Sequence, residues 1–447
     1  MRPSDLAACT LVAVYGHGRA GRALVRHVRE VAPDAAVLVL LDSDADDDTA
    51  RAATTVGFDI VVGSAVADVL RTLPVDVVLR SPGVSPYREP LALAREHGIP
   101  VTTATNVWFG LHRPDNVIAI TATKGKSTTT ALTTHLLQAA GRDAVMAGNI
   151  GLPLLDLPRP PQAVDHVVVE LSSYQLADFD GHVAVGALLN LMRDHVDWHG
   201  SDARYHADKA RLLDHADVVV ANAADARVVA AVGDHADPRW FDVCRDPAVV
   251  GHHALPIADL RAALSRSRLV GEHHVANLAA ALAIVESVGV EPASVLDAVA
   301  DFTPLSHRLE VVHDDGRLWI DDSISTIPET AVAALRAFPD RPVTLLAGGH
   351  DRTQDHAPLV AEVGRRPDVH VVTMPDTGAR LADDLAQAGL ADRTIVADDL
   401  ADAVRTADRV TPAAGVVLLS PAAPSFGAFT SYEERGERFA TLARALS

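Results

Sequence analysis

Short apolar runs alternate with amphipathic stretches through the first quarter of the chain. The apolar runs at 11–15, 36–41, 60–62 and 75–79 have the length of strands, and the segments between them have helical spacing. Because strands that alternate with helices form parallel sheets with crossover connections, we predict a small Rossmann-like domain over residues 1–112.

Two further series of the same kind follow. The second predicts a central domain over 113–304 and the third a Rossmann-like C-terminal domain over 305–447. The longest helix candidate, 274–288, belongs to the second series. The predicted strands are 117–121, 167–170, 187–191 and 218–221 in the second series, and 318–320, 343–346, 369–373, 394–396 and 416–419 in the third.

A phosphate-binding loop is predicted directly after the strand 117–121. The sequence from 120 to 130 is ITATKGKSTTT, in which Gly125 lets backbone amides approach phosphate oxygens and Lys126 can reach the β- and γ-phosphates. The hydroxyl of Ser127 or Thr128 can hold Mg²⁺ at the start of a helix. The strict pattern has glycine where this chain has Ile120, and an ordinary loop is the alternative. We interpret the central domain as a P-loop-type ATPase.

A second glycine-rich turn opens the first helix of the chain. Gly16, Gly18 and Gly21 follow the first predicted strand in a GxGxxG pattern, and Asp42 ends the second strand. Glycines at these positions allow a tight turn whose following helix directs its N-terminus at a diphosphate. The pattern favours a phosphorylated ligand, and a tight turn that binds nothing is the alternative.

Acidic residues, histidines and one lysine cluster in the central domain. Glu170 ends an apolar strand, which places an oxygen ligand for Mg²⁺ beside the phosphate loop. His195 and His199 are four residues apart and permit a zinc pair as a weaker alternative, since no third soft ligand is near. Lys209 follows in the next predicted helix, where a solvated lysine is the ordinary interpretation.

Composition limits the classes of function. The net charge of −20 argues against a general nucleic-acid or membrane-surface binder, because such proteins carry a basic footprint. Only Cys9 and Cys244 are present, which excludes a disulfide framework, and no run of 18 apolar residues predicts a membrane span. We expect a soluble, cytoplasmic protein in which anionic ligands meet a local basic patch.

Taken together, the motifs resemble those of the Mur ligases, the ATP-dependent amide-forming enzymes of peptidoglycan precursor assembly. The resemblance spans nearly the whole chain and is strongest to the branch that adds glutamate to UDP-N-acetylmuramoyl-L-alanine. The stretches that carry it are GNIG at 148–151, ELSSYQL at 170–176, DHVDWH at 194–199, HHVAN at 273–277, SHRLE at 306–310, DDSIST at 321–326, GGHDR at 348–352, LSPAAPSF at 419–426 and RG at 435–436.

The resemblance implies a role for each domain: the first binds the UDP portion of the substrate, the second ATP, and the third the amino acid. It also implies Mg²⁺ as cofactor, a carbamate on Lys209, catalytic roles for Lys126, Glu170, His195 and Lys209, and a monomer. The implied UDP-substrate contacts are Arg19, Ala20, Asp42, Ser81, Asn149 and His195. The implied ATP contacts are Thr123, Lys124, Gly125, Lys126, Ser127, Thr128, Asn277, Arg308 and Asp322. Ser127, Glu170, His195 and carbamylated Lys209 would hold the metal, and Thr326, Arg352, Ser425 and Tyr432 would bind glutamate.

Several positions depart from the family pattern. Lys124 adds a second lysine to the phosphate loop, and His274 replaces an asparagine near the adenine. Ile324 stands where the D-glutamate-adding enzymes carry lysine, and Gly427 where an aspartate is often found. The DDSIST stretch and the Lys124-Gly-Lys loop resemble the smaller branch that adds L-glutamate, so we favour L-glutamate over the D form.

Three other classes remain as alternatives. A folylpolyglutamate-synthase-like ligase shares the last two domains but lacks the N-terminal domain with the Gly16–Gly21 turn. A ligase of another Mur step would add L-alanine or a diamino acid, but no diamino-acid motif of the Asp-x-x-Arg kind lies near 421–432. A non-enzymatic binder of NAD-type nucleotides would use only the first turn.

Overall fold

The protein contains three β-sheets within two compact units. The structure is a computed structural model that describes residues 3–42, 47–351 and 354–446, without the side chains of Pro3, Ser4, Arg19, Asp47, Asp48, Arg51 and Asp197. One unit comprises residues 1–263 and 275–299, and the other comprises 264–274 and 300–447. The first unit contains two sheets and the second contains one, each accompanied by helices. The predicted α/β class with three sheet regions is confirmed.

The first sheet has five parallel strands in the order β3-β2-β1-β4-β5. Strand β1 is buried along nearly its whole length, as expected when helices cover both faces of a parallel sheet. Strands β2 and β3 lie on one side of β1, and β4 and β5 lie on the other, so the strand order reverses at β1. Ligands bind at such a reversal in folds of this kind, and the turn after β1 lies there. The elements are β1 Leu11–Tyr15, β2 Ala36–Leu41, β3 Asp59–Val62, β4 Val77–Arg80 and β5 Val101–Thr103, with helices α1 Pro3–Ala7, α2 Arg19–Val31, α3 Asp47–Ala52, α4 Ala65–Thr72, α5 Glu89–Glu96 and α6 Ala104–His112.

The second sheet has eight strands in the order β13-β12-β11-β10-β9-β6-β8-β7, and only the pairs that include β12 are antiparallel. Fully buried β6 lies between β8 and β9, again where the strand order reverses. The strands are β6 Val117–Thr121, β7 Ala144–Gly148, β8 His166–Glu170, β9 Val183–Leu188, β10 Ala216–Asn222, β11 Arg239–Asp242, β12 Ala248–Val250 and β13 His253–Leu255. The helices are α7 Lys126–Ala139, α8 Ser173–Leu176, α9 Val196–His199, α10 Asp202–Ala210, α11 Ala226–Val232, α12 Ile257–Ser265, α13 His274–Ser287 and α14 Pro292–Val295.

The third sheet has the order β14-β15-β19-β16-β17-β18, and only the β14–β15 pair is antiparallel. Strands β16 and β19 are completely buried between helical layers. The elements are β14 Glu310–Asp314, β15 Leu318–Asp321, β16 Val343–Gly348, β17 Val369–Met374, β18 Thr394–Val396 and β19 Val416–Leu419, with helices α15 Pro328–Arg336, α16 Ala357–Arg365, α17 Gly378–Gln387, α18 Leu400–Val410 and α19 Tyr432–Arg444.

No helix within the described residues is both long and apolar enough to cross a bilayer.

Candidate active site

The phosphate loop follows β6 and ends where α7 begins. The register of the sheet pairs Ile120 with Glu170 and Thr121 with Leu188, so the loop and the ends of β8 and β9 share one edge. Gly125 caps α7 with a φ of +86°, a conformation that favours glycine. A Cβ on Gly125 would overlap the side-chain amide of Asn277. The predicted ATP contact Asn277 therefore lies directly against the loop.

Hydrogen bonds from neighbouring segments fix the loop in place. The backbone N–H of Lys124 donates to Asn190 Oδ1 at 2.9 Å, and Asn190 Nδ2 donates back to the Lys124 carbonyl at 2.8 Å. The Thr123 hydroxyl accepts from the Tyr205 hydroxyl and from the Met192 N–H, both at 3.0 Å. The loop is thus preorganised by side chains that the sequence analysis did not select, Asn190 above all. The sequence signal for Asn190 is its position as a polar residue just after the buried strand β9.

Gly125→Ala is expected to weaken ATP binding at least about 10-fold, because the added Cβ would displace Asn277 and strain the loop by about 1–2 kcal/mol. Gly141→Ala is the matched control, since Gly141 also has a positive φ of +76° but has no atom within 4 Å of an added Cβ. Calorimetric titration with a non-hydrolysable ATP analogue measures both variants. Equal affinity in the two would contradict the role given to the loop.

Lys209 is buried beneath the phosphate loop. Its Nζ donates to the carbonyl of Ala122 at 2.7 Å and lies 5.1 Å from the centre of the Tyr205 ring. Burial lowers the pKa of Lys209 well below its usual value, and the charge of Lys126 acts in the same direction. The carboxylates of Asp194 and Glu170 oppose that shift. The uncharged amine, the form that reacts with CO₂, is therefore accessible to this residue.

The distribution of lysine along the chain supports a functional role for the phosphate loop and the residue beneath it. The sequence contains 39 lysines and arginines in all, and only Lys124, Lys126 and Lys209 are lysines. All three lie at or beneath the phosphate loop, whereas arginine serves every other basic position. A primary amine is a compact point charge for phosphates and the only one of the two groups that forms a carbamate with ease. This count is a signal that the sequence analysis missed.

Glu170 carries a buried carboxylate at the end of β8. Its Oε1 accepts from Asn149 Nδ2 at 2.7 Å, while Oε2 is buried and accepts no hydrogen bond from the described part of the chain. A buried carboxylate oxygen without a donor is unfavourable, and carboxylate oxygen is a preferred ligand of Mg²⁺. Ser127, buried at the start of α7, supplies a hydroxyl at the same edge. The residues present therefore fit a magnesium ion.

Asp194 and His195 lie on the segment that follows β9. Asp194 Oδ2 is 3.5 Å from Lys124 Nζ, and Asp194 Oδ1 accepts from the His195 backbone N–H at 3.0 Å. The pKa of His195 is lowered, mainly by burial. Asp194 opposes this shift and the nearby lysines reinforce it. A lowered pKa favours the neutral imidazole, which is able to bind a metal or accept a proton.

His199 is not available for the zinc pair that the spacing permits. Its Nδ1 lies 2.6 Å from Asp208 Oδ2 and its Nε2 lies 3.0 Å from the Ser173 hydroxyl. The Tyr87 hydroxyl donates to the same Asp208 carboxylate. Both ring nitrogens of this buried histidine are therefore engaged in a structural network, which argues against the zinc alternative.

The glycine turn after β1 meets the Asn149 segment at a small cleft. A cavity of about 120 Å³ is lined by Ala20, Pro82 and Asn149 among others. The Ser81 hydroxyl donates to the Gly16 carbonyl at 2.7 Å, and a Cβ on Gly21 would overlap that carbonyl. Two of the predicted UDP-substrate contacts, Ala20 and Asn149, are thus brought together.

Asp42 lies at the end of β2, as predicted, but its carboxylate already has partners. It accepts from the Tyr15 hydroxyl at 2.7 Å and pairs with Arg88. The side chain of Arg19 is outside the described residues, so its predicted contact with UDP stays a prediction.

Arg80 is a buried arginine that the sequence analysis missed. It ends β4, and its guanidinium donates to both carboxylate oxygens of Asp178, at 2.8 and 3.2 Å, and to the Tyr174 carbonyl at 3.0 Å. A buried bidentate pair is costly to break. Arg80 therefore fastens the first sheet to the segment that follows Glu170.

In the second unit, Asp322 lies just after β15 and is buried. The Ser420 hydroxyl donates to its Oδ2 at 2.7 Å. Burial raises the pKa of Asp322 to about 6, with its hydrogen bonds and Arg308 acting in the opposite direction. The Arg308 Nε is buried and donates no hydrogen bond to the described residues. Both predicted ATP contacts are thus polar groups held at the same end of this unit.

The predicted glutamate contacts also lie in the second unit. Ser425 borders a cavity of about 310 Å³ together with Gly349 and Arg435. Tyr432 begins α19, and its carbonyl accepts from the Ser323 hydroxyl at 2.8 Å. Thr326 offers its carbonyl to Gln354 at 3.3 Å. Arg352 is outside the described residues, so its role stays a prediction.

Arg435 organises this region and was not assigned a role from the sequence. Its guanidinium is almost fully buried and donates to the Ser323 hydroxyl, the Ser323 carbonyl and the Ala423 carbonyl, all at 2.9–3.0 Å. It thereby holds the segment after β15 against the segment after β19, from which Asp322 and Ser425 project.

Known proteins match this chain along its whole length. Residues 120–285 match the Mur ligase middle domain, and residues 307–423 match the Mur ligase, glutamate ligase domain. A protein of Micromonospora named UDP-N-acetylmuramoyl-L-alanine--L-glutamate ligase is 40% identical over 99% of this chain and 98% of its own. Relatives with the same name from Salinispora tropica and Xanthomonas euvesicatoria are 40% and 38% identical, each over 99% of this chain and at least 97% of their own.

Solved structures share the fold at lower identity. The UDP-N-acetylmuramate-alanine ligase of Thermotoga maritima covers 98% of this chain and is itself covered completely, with a TM-score of 0.57 and 19% identity. The match to a folylpolyglutamate synthase of Mycobacterium tuberculosis covers 75% of this chain and 91% of the synthase chain, with a TM-score of 0.51 and 19% identity. The two family models and the full-length relatives establish that this chain belongs to the Mur ligase family.

Proposed function

We propose that this protein joins L-glutamate to the alanyl carboxylate of UDP-N-acetylmuramoyl-L-alanine at the expense of ATP, as a cytoplasmic step of peptidoglycan precursor synthesis. The observation that carries the proposal is the set of full-length relatives, about 40% identical, that are named for this reaction. The phosphate loop with Lys126, Glu170, His195 and Lys209 around it supplies the chemistry that the reaction needs.

A carboxylate is a poor electrophile and must be activated before an amine can attack it. Its oxygen attacks the γ-phosphorus of ATP, the bond to the β-phosphate oxygen breaks, and ADP leaves an acyl phosphate behind. The two reacting groups are both anionic, so positive charge must lie between them. Lys126 at the start of α7 and Lys124 in the loop provide that charge, and Arg308 is our candidate in the second unit.

Magnesium, when bound, offsets the phosphate charge and polarises the oxygens of the transferred group. Glu170 and Ser127 would hold it, together with His195 and Lys209 as a carbamate. Asn149 keeps the Glu170 carboxylate in one orientation through its hydrogen bond to Oε1. Tyr205 and Asn190 hold the loop so that the amides after Thr123 keep their direction.

The amine of glutamate then attacks the acyl carbon, phosphate leaves, and a proton departs from the nitrogen. Neutral His195, when its Nε2 is not bound to the metal, or a metal-binding carboxylate is a suitable acceptor for that proton. We propose that Thr326, Arg352, Ser425 and Tyr432 bind the two carboxylates of glutamate. Arg352 would grip one of them through two parallel hydrogen bonds.

The preference for L-glutamate rests on the names of the relatives and on two positions. Ile324 follows Ser323 and is half-buried. By the resemblance to the Mur ligases, it occupies the position where the D-glutamate-adding enzymes carry lysine. Gly427 has a φ of +90°, which an aspartate would adopt only with strain. A dianionic substrate that is not paired with a cation at 324 must be held differently.

Phosphate release by the purified protein with Mg·ATP and UDP-N-acetylmuramoyl-L-alanine tests the proposal. We expect turnover with L-glutamate and less than about 1% of that rate with D-glutamate, a difference of about 3 kcal/mol in transition-state binding. Tetrahydrofolate in place of the muramoyl substrate serves as the control for the folylpolyglutamate alternative. Turnover with D-glutamate alone would overturn the assignment of the amino acid.

A further inference from the structure

Tyr174 follows Glu170 by four residues and contacts His195. It belongs to the short helix α8, whose start is fixed by reciprocal hydrogen bonds between Ser172 and Gln175. The Tyr174 hydroxyl lies 2.9 Å from His195 Nδ1, and the two rings are 5.0 Å apart at a steep angle. The phenol thus contacts one of the two ring nitrogens of His195.

The Tyr174 ring is itself held firmly. It stacks on Trp198 with the ring centres 4.3 Å apart and only 19° between their planes. The Trp198 indole N–H donates to the Gly83 carbonyl at 3.0 Å, and Arg80 donates to the Tyr174 carbonyl at 3.0 Å. These contacts with Trp198 and Arg80 restrict the position of the Tyr174 ring and therefore of its hydroxyl.

The orientation of the His195 ring depends on a side-chain contact, because the surrounding protein encloses the ring only in part. Its backbone adopts the left-handed region, with a φ of +50°, and its side chain is 44% exposed. Its Nε2 makes no hydrogen bond to any described residue, so Nδ1 is the nitrogen through which the protein orients the ring. A phenol hydroxyl accepts as well as donates, so its oxygen can accept a hydrogen bond from Nδ1–H, which leaves the Nε2 lone pair directed outward.

We propose that Tyr174 is a positioning residue that fixes the ring orientation and the tautomer of His195, so that the Nε2 lone pair is available either to bind the metal or to accept the substrate proton. The inference rests on the proposed function for its consequence in catalysis. The geometry itself is a property of the protein without substrate.

Tyr174→Phe tests this inference, because it removes the hydroxyl and keeps the ring that stacks on Trp198. Tyr87→Phe is the matched control: it removes a hydroxyl beside the same Trp198, 6.2 Å between ring centres, but that hydroxyl contacts Asp208 and not His195. Long-range ¹H–¹⁵N spectra of the histidine rings, assigned with His195→Gln, report the tautomer in the absence of substrate.

We expect Tyr174→Phe to shift the His195 ring nitrogens toward a mixture of tautomers, while Tyr87→Phe leaves them unchanged and both variants keep a cooperative thermal unfolding transition. In the assay, Tyr174→Phe should lower kcat by about 10-fold to 100-fold with little change in KM for ATP, as for other partners that orient a ligating histidine. Unaltered His195 resonances in Tyr174→Phe would overturn the inference, whether or not the ligase assay succeeds. Altered resonances with an unchanged kcat would overturn its catalytic part.

Discussion

Lys126→Ala should lower ATP-dependent phosphate release by about 10³-fold, even when every substrate is saturating. Lys126 is the first residue of α7, directly after the cap at Gly125, where helix amides and a compact ammonium group can act on the same phosphate oxygens. Removing it leaves the charge of the transferred phosphoryl group without its nearest cation. The effect therefore falls on kcat as well as on binding.

The control for this variant is Arg142→Ala, which removes an exposed cation just beyond the other end of the same helix. It should retain the parent rate, since charges on the solvated surface interact weakly with a distant site. Phosphate release and thermal unfolding are measured on both. If Lys126→Ala kept most of the rate, the phosphate loop would have been assigned to the wrong chemistry.

Lys209→Ala should lower activity at least about 10²-fold, because the residue that we propose as a carbamate ligand for magnesium is lost. Short carboxylates such as acetate or formate should restore part of the rate by occupying the space that the side chain leaves. Lys209→Arg should be as inactive as the alanine variant and should not respond to carboxylates, since its guanidinium fills the space and does not form a carbamate.

Direct evidence for the carbamate comes from ¹³C spectra of protein equilibrated with ¹³C-bicarbonate. The chain has only three lysines, so the spectrum is simple, and one carbamate resonance should be present in the parent and absent from Lys209→Ala. The depressed pKa of Lys209 makes this reaction possible near neutral pH. A parent protein that is fully active without bicarbonate and shows no such resonance would contradict the carbamate role.

Much of the fold was predictable because buried parallel strands are continuous apolar runs. The predicted strands 11–15, 36–41 and 416–419 match β1, β2 and β19 exactly in their bounds. The strands β5, β7, β11, β12, β13 and β14 were missed. Four of them, β5, β11, β12 and β13, are only three or four residues long, too short for a periodic pattern, and β7 and β14 have five residues each. The run 187–191 was placed too late, since the polypeptide leaves β9 at Leu188 and Asn190 turns to bind the phosphate loop.

The parts of the candidate site that lie at the ends of strands were predictable from the sequence. Glu170 and the phosphate loop lie together because neighbouring parallel strands end at the same edge of a sheet. Contacts between distant segments were not predictable, since a single sequence carries no signal for pairs such as Arg80 with Asp178 or Tyr174 with His195. The division into domains at 112 and 304 and the predicted monomer stay predictions.

The measurement that tests the central claim most directly is the transfer of oxygen from substrate to phosphate. UDP-N-acetylmuramoyl-L-alanine labelled with ¹⁸O in its alanyl carboxylate is turned over with Mg·ATP and L-glutamate, and the phosphate is analysed by mass spectrometry. Activation as an acyl phosphate predicts one ¹⁸O atom in each phosphate released and one retained in the new amide. Unlabelled phosphate accompanied by amide formation would contradict the account.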